Sequence, residues 1–177
     1  MLFSEDSIWT MVHGIALGGA ALLALAAVLF ALYLMQRATR AAVASEDAWR
    51  PMAALTTFGA VAIWLTTFVG IYIIFPPYRA TPPEGTVDLS EYPRALALSS
   101  PSTRWLHAFA METKEHLPLI AAMLATAVAF VAWRYRRRLL DDPSLRRAGE
   151  TFLAICFVLV AYLALLGVFV NKVAPLD

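Results

Sequence analysis

The sequence predicts an all-α integral membrane protein built as a four-helix bundle, and three observations carry that expectation. Hydrophobic residues make up 60% of the 177 and charged residues only 15%, with a mean hydropathy of +0.67. That leaves too little polar surface for a soluble domain of this length. Four apolar runs each reach the roughly 20 residues needed to cross hydrocarbon. Between those runs the arginines gather in two of the three connections. The net charge of +1 gives no case for a nucleic-acid partner. The lone cysteine, Cys156, lies in an apolar run and excludes a disulfide framework.

Ser4, Glu5, Asp6 and Ser7 are helix-starting residues ahead of the first span, expected over 8–35. The acidic start MLFSEDSIW lacks the basic region of a signal peptide, and the run behind it is long enough to span. Gly14 and Gly18 form a small-xxx-small pair that admits close approach by a neighbouring helix or a flat ligand. A polar connection from Gln36 to Arg50 follows. Pro51 suits the first position of the second span, expected over 51–75. Within it Thr56, Thr57, Thr66 and Thr67 offer hydroxyls to their own helix or to a neighbour, and Pro76-Pro77 is expected to end it.

The long connection, 76–107, contains the irregular TPPEGT and a stretch, SEYPRALALSS, that suits a short interfacial helix. A loop of this length usually covers or binds something, and here covering the mouth of the bundle is the expected use. The third span is expected over 108–133. Its approach carries His107, Glu112, Lys114, Glu115 and His116, and ionisable groups at the mouth of an apolar helix are functional-site candidates. A basic connection, RYRRRLLDDPSLRR, leads to the fourth span, expected over 150–170.

Arg37, Arg40, Arg50, Arg134, Arg136, Arg137, Arg138, Arg146 and Arg147 all fall in the two short connections. The positive-inside rule therefore predicts that both termini and the 76–107 loop lie outside the cytoplasm, as in a bacterial cytoplasmic membrane protein. This arrangement brings His13, His107 and His116 to the outer half. Counted from the inner arginines at about 1.5 Å per residue, His13 lies about 5 Å inward of His107 and about 9 Å outward of His116. His107 and His116 are nine residues apart, half a turn out of phase at about 100° per residue. One of them at most shares a centre with His13, and the deeper His116 is the expected partner.

Two imidazoles facing across helices suit the axial positions of a haem iron, and no CxxCH is present for covalent attachment. Gly14 and Gly18 would give the ring room, and Arg79, Arg94, Arg104 or Lys172 would meet its propionates. Tyr72 and Trp105 would pack along its edge. In its four-span layout, and in His13 and His116, the chain resembles the small four-helix membrane cytochromes and membrane-anchor subunits that bind haem b through histidines on different spans. The resemblance implies one haem b, since three histidines do not supply two bis-histidine sites. It further implies electron transfer between a quinol or a partner redox protein and an acceptor on the outer side. Two other readings stay open: a structural or assembly subunit of a larger membrane complex, and a transition-metal site drawn from His13, His107, Glu112, Glu115 and His116. The arginines after Trp133 suit topology and contact with anionic lipid.

Overall fold

Four helices long and apolar enough to cross a membrane run over Glu5–Leu34, Trp49–Tyr78, Leu106–Arg134 and Pro143–Val173. They are spans 1 to 4 of a computed structural model that describes residues 4–37 and 46–176. Arg40 and Ser45 of the first connection lie outside the described residues. Consecutive spans pack against each other and span 1 closes on span 4, which makes an all-α four-helix bundle. The protein is accordingly an integral membrane protein in contact with lipid.

Local chemistry sets the helix ends. The Ser4 hydroxyl accepts the Ser7 N–H at 3.0 Å, with Glu5 and Asp6 in the first turn, where the helix dipole favours negative charge. Span 2 starts earlier than expected: its helix runs from Glu46, so Pro51 sits inside it. It also ends later, because Pro76-Pro77 occupy the start of one more turn, Phe75–Tyr78, where a missing N–H costs nothing. Span 4 begins at Pro143, well before residue 150, because Asp142 caps it. The Asp142 carboxylate accepts from the Ser144 and Leu145 N–H groups at 2.8 and 3.2 Å. The expected interfacial helix in the long connection is present as Pro93–Ser99, with Pro93 and Ala97 buried. Nearby, the Ser90 N–H donates to Asp88 and holds its carboxyl below the usual carboxylate range.

Small residues let the spans approach. Ala121, Ala122, Ala125, Ala129 and Ala132 form the buried face of span 3. A Cβ built on Gly59 of span 2 would lie 3.4 Å from Ala24 Cβ of span 1. Gly14, by contrast, faces open space, and Gly18 is buried against the His13 carbonyl of its own helix. The close crossing of spans 1 and 2 thus uses Gly59. Trp64 Nε1 donates to Thr126 Oγ1 at 3.0 Å and Trp133 Nε1 to Thr57 Oγ1 at 2.8 Å, joining spans 2 and 3 at two depths. Bonds of this kind contribute about 0.6 kcal/mol each within a membrane. Thr126→Val is expected to weaken the bundle by about that amount, read as the denaturation midpoint in detergent.

Two features organise the bundle along its length. Its buried side chains fall into a large cluster that includes Leu25, Val28, Ile63, Ala125 and Leu153, and a small one of Tyr78, Leu106, Ala110, Met111, Leu166 and Val170. Three π-helical stretches, Val12–Gly18, Gly70–Ile74 and Leu106–Met111, interrupt spans 1, 2 and 3 toward the end that holds the long connection. π turns inside α-helices often mark functional sites. Both termini come to that same end, where the Ser7 hydroxyl donates to the Leu176 carbonyl at 3.3 Å.

Candidate functional site in the loop-proximal half

His13 belongs to the π stretch of span 1 and reaches across to span 2. Its Nδ1 lies 3.0 Å from the Thr66 carbonyl oxygen. A carbonyl only accepts, so Nδ1 carries the proton, and a neutral ring keeps its lone pair on Nε2. Gly70 makes room for the ring, since a Cβ there would lie 3.0 Å from His13 Cε1. The Thr66 hydroxyl is buried with no hydrogen-bond partner. Gly70→Val is expected to displace the ring and break the bond to Thr66, at a cost of about 1 kcal/mol. Histidine ring ¹⁵N shifts report it: the protonated Nδ1 of His13 is replaced by a mixture of tautomers.

Span 3 contributes Lys114 to this layer. The lysine is within electrostatic range of His13, and its ammonium occupies a notch in span 4, where a Cβ on Gly167 would lie 2.6 Å from Nζ. Glycines on two helices thus accommodate two basic side chains from the other two. On spans 2 and 3 the layer falls between residues of the two apolar clusters, and on span 4 Gly167 falls among those of the small one. An ionisable group in this setting is costly, which makes the layer a candidate functional site.

A second polar group sits nearer the loop. The Tyr78 hydroxyl is 3.2 Å from His107 Nδ1, with the ring centroids 6.0 Å apart. Arg94 of the loop helix and Glu115 of span 3 are within electrostatic range of Tyr78. Arg94 Nε is buried without a hydrogen-bond partner. The loop helix Pro93–Ser99 packs beside Leu106–Met111 and brings a guanidinium with it.

The other expected residues are placed differently. His116 is exposed, with Nδ1 turned back to the Glu112 carbonyl at 2.8 Å. It follows Lys114 by two residues, about 200° around the helix, so it points away from the layer that Lys114 enters. Glu112 is exposed on the same side. Arg79 is exposed and stacks over the Phe75 ring at 5.2 Å, and Arg104 is exposed at the rim. Tyr72 stacks on Phe68, and Trp105 meets Phe169 edge to face. Among the described residues, no three His, Cys, Asp or Glu side chains come together as a metal site.

A haem held between His13 and His116 does not fit this arrangement. The axial imidazoles must approach one iron from opposite sides, whereas His116 faces away and Lys114 takes the interior position on span 3. The signal for Lys114 is present in the sequence: stepping back seven residues from Ala121 along the buried stripe Ala121, Ala125, Val128 and Ala132 reaches it. No protein-family model, curated protein or solved structure matches this chain.

Proposed function

We propose that the protein is an electron-transfer subunit of a bacterial cytoplasmic membrane that binds a quinol at the His13–Lys114 layer. The observation that carries the reading is the pairing of an acceptor and a donor in one apolar layer: a free His13 Nε2 beside the Lys114 ammonium, each accommodated by a glycine. A quinol hydroxyl donates to His13 Nε2, and the carbonyl oxygen of the oxidised ring accepts from Lys114. Tyr78, His107 and Glu115 give the released protons a route to the loop end. The electrons pass to a partner redox protein, or to another subunit of the same complex, at that face.

The experiment is a titration of the purified protein in nanodiscs with a short-chain benzoquinone, followed by tryptophan fluorescence. Saturable quenching that is lost in His13→Ala supports the site, and identical curves for the two proteins overturn it. An absorption spectrum taken on the same sample reads the haem alternative. A Soret band that survives in His13→Ala and disappears in His116→Ala would replace the quinol reading with a haem at the exposed face of span 3.

Orientation follows from the arginine distribution, with the termini and the 76–107 loop outside the cytoplasm. Cysteines placed at Thr86 and Ser144 are expected to label from opposite sides, position 86 from the periplasmic face. Labelling of position 86 from the cytoplasm would reverse the orientation.

A further inference from the structure

We propose that the His13–Lys114 layer selects a quinol whose ring carries an ether oxygen beside the oxygen that meets His13, and that the Thr66 hydroxyl recognises it. The inference rests on the quinol site proposed above and names the class of ring that site takes. Span 2 holds four threonines. Thr56, Thr57 and Thr67 each donate to the carbonyl four residues back, all at 2.8 Å. A threonine inside a helix commonly satisfies its hydroxyl in this way. Thr66 is the exception, because its hydroxyl is buried with no hydrogen-bond partner. Leaving a buried hydroxyl unpaired is costly.

The position of Thr66 places it in the layer. Its carbonyl accepts from His13 Nδ1. Gly70, against which the His13 ring lies, is four residues further on and shares its face of span 2. The layer therefore offers one acceptor, His13 Nε2, and donors on two residues, Lys114 and Thr66. A ring substituted only with alkyl groups has two oxygens to meet them. One takes His13 and the other Lys114, which leaves the Thr66 hydroxyl unmatched on the His13 side. An ether oxygen on the neighbouring ring carbon only accepts, so it supplies the missing partner. An alkyl group in its place would lie against the hydroxyl and leave it unsatisfied.

The test titrates the full chain in nanodiscs with dimethoxy-methylbenzoquinone and with trimethylbenzoquinone, which differ by methoxy against methyl at two neighbouring positions. Tryptophan quenching gives the ratio of the two affinities. Thr66→Val keeps the branched side chain without the hydroxyl, and is expected to lower that ratio about fivefold, the effect of one neutral hydrogen bond. Partitioning into lipid is common to both proteins, so the change in ratio reports the hydroxyl. Thr66→Ser and Thr66→Ala form a second pair that differs by the hydroxyl alone, and the serine variant is expected to keep the higher ratio. Elution volume and helical content identify a variant that has failed to fold, and the other pair then decides. Binding that depends on His13, with a ratio indifferent to the hydroxyl, overturns this inference and leaves the quinol site standing. Curves for both quinones that are unchanged in His13→Ala overturn the quinol site itself.

Discussion

Lys114→Met is expected to lower affinity for the short-chain quinone about 10- to 100-fold while leaving the bundle as stable as wild type or more so. The two halves of this expectation come from different physics. A hydrogen bond from a charged donor is worth about 1.5–3 kcal/mol, and about 1.4 kcal/mol is tenfold in binding. Methionine matches the length of the lysine stem and removes a charge that is expensive to hold among apolar helices. Lys114→Arg makes the comparison sharper. It keeps the charge, but the notch at Gly167 has been shaped around a slender ammonium, so the planar guanidinium is expected to lose affinity as well. Unchanged quinone binding in Lys114→Met would remove the lysine from the site. Reduced stability in the same variant would show instead that its stem is needed for packing.

Gly59→Leu is expected to destabilise the bundle, whereas Gly14→Leu is tolerated. A side chain at position 59 meets Ala24 at once and Leu25 at 3.9 Å. Overpacking in so close a crossing costs about 1–3 kcal/mol or more. At position 14 the same side chain projects into open space. Denaturation midpoints of the two variants in one detergent give the comparison. If Gly14→Leu proved the more damaging, spans 1 and 2 would cross on the other face of span 1.

The contrast between those glycines shows what was legible in the chain. Four apolar runs are long enough to cross a membrane whatever their neighbours, so the fold class follows from length and composition alone. Helix ends were readable where the capping chemistry was considered. Ser4 carries that chemistry ahead of the first span, and Asp142-Pro143 carries it ahead of the fourth within a stretch whose arginines also suit a connection. The facing of side chains was harder. A uniform rotation per residue assumes an α-helix throughout, but His13 and His107 both sit in π stretches, where each turn holds an extra residue. The choice of His116 over His107 rests on depth, and the π stretch at Leu106–Met111 changes the angle between those two histidines. The alanine stripe of span 3, lying wholly in regular α-helix, points to Lys114 correctly.

The separation of the apolar core into two clusters bears on how the molecule opens. Cooperative units of unfolding follow contiguous packing, and each has its own free energy of opening. The large cluster holds the arginine-rich end together across four helices. The small one comprises only Tyr78, Leu106, Ala110, Met111, Leu166 and Val170 as its buried members. His13 and Lys114 put two basic side chains beside that small cluster. The loop-proximal end can therefore breathe as a unit while the rest stays closed. Amides of 70–74 and 106–111 would then exchange with solvent through that local opening, well ahead of those in 121–132. A lipid-borne ligand would enter by the same excursion, and its arrival would slow the exchange at just that end.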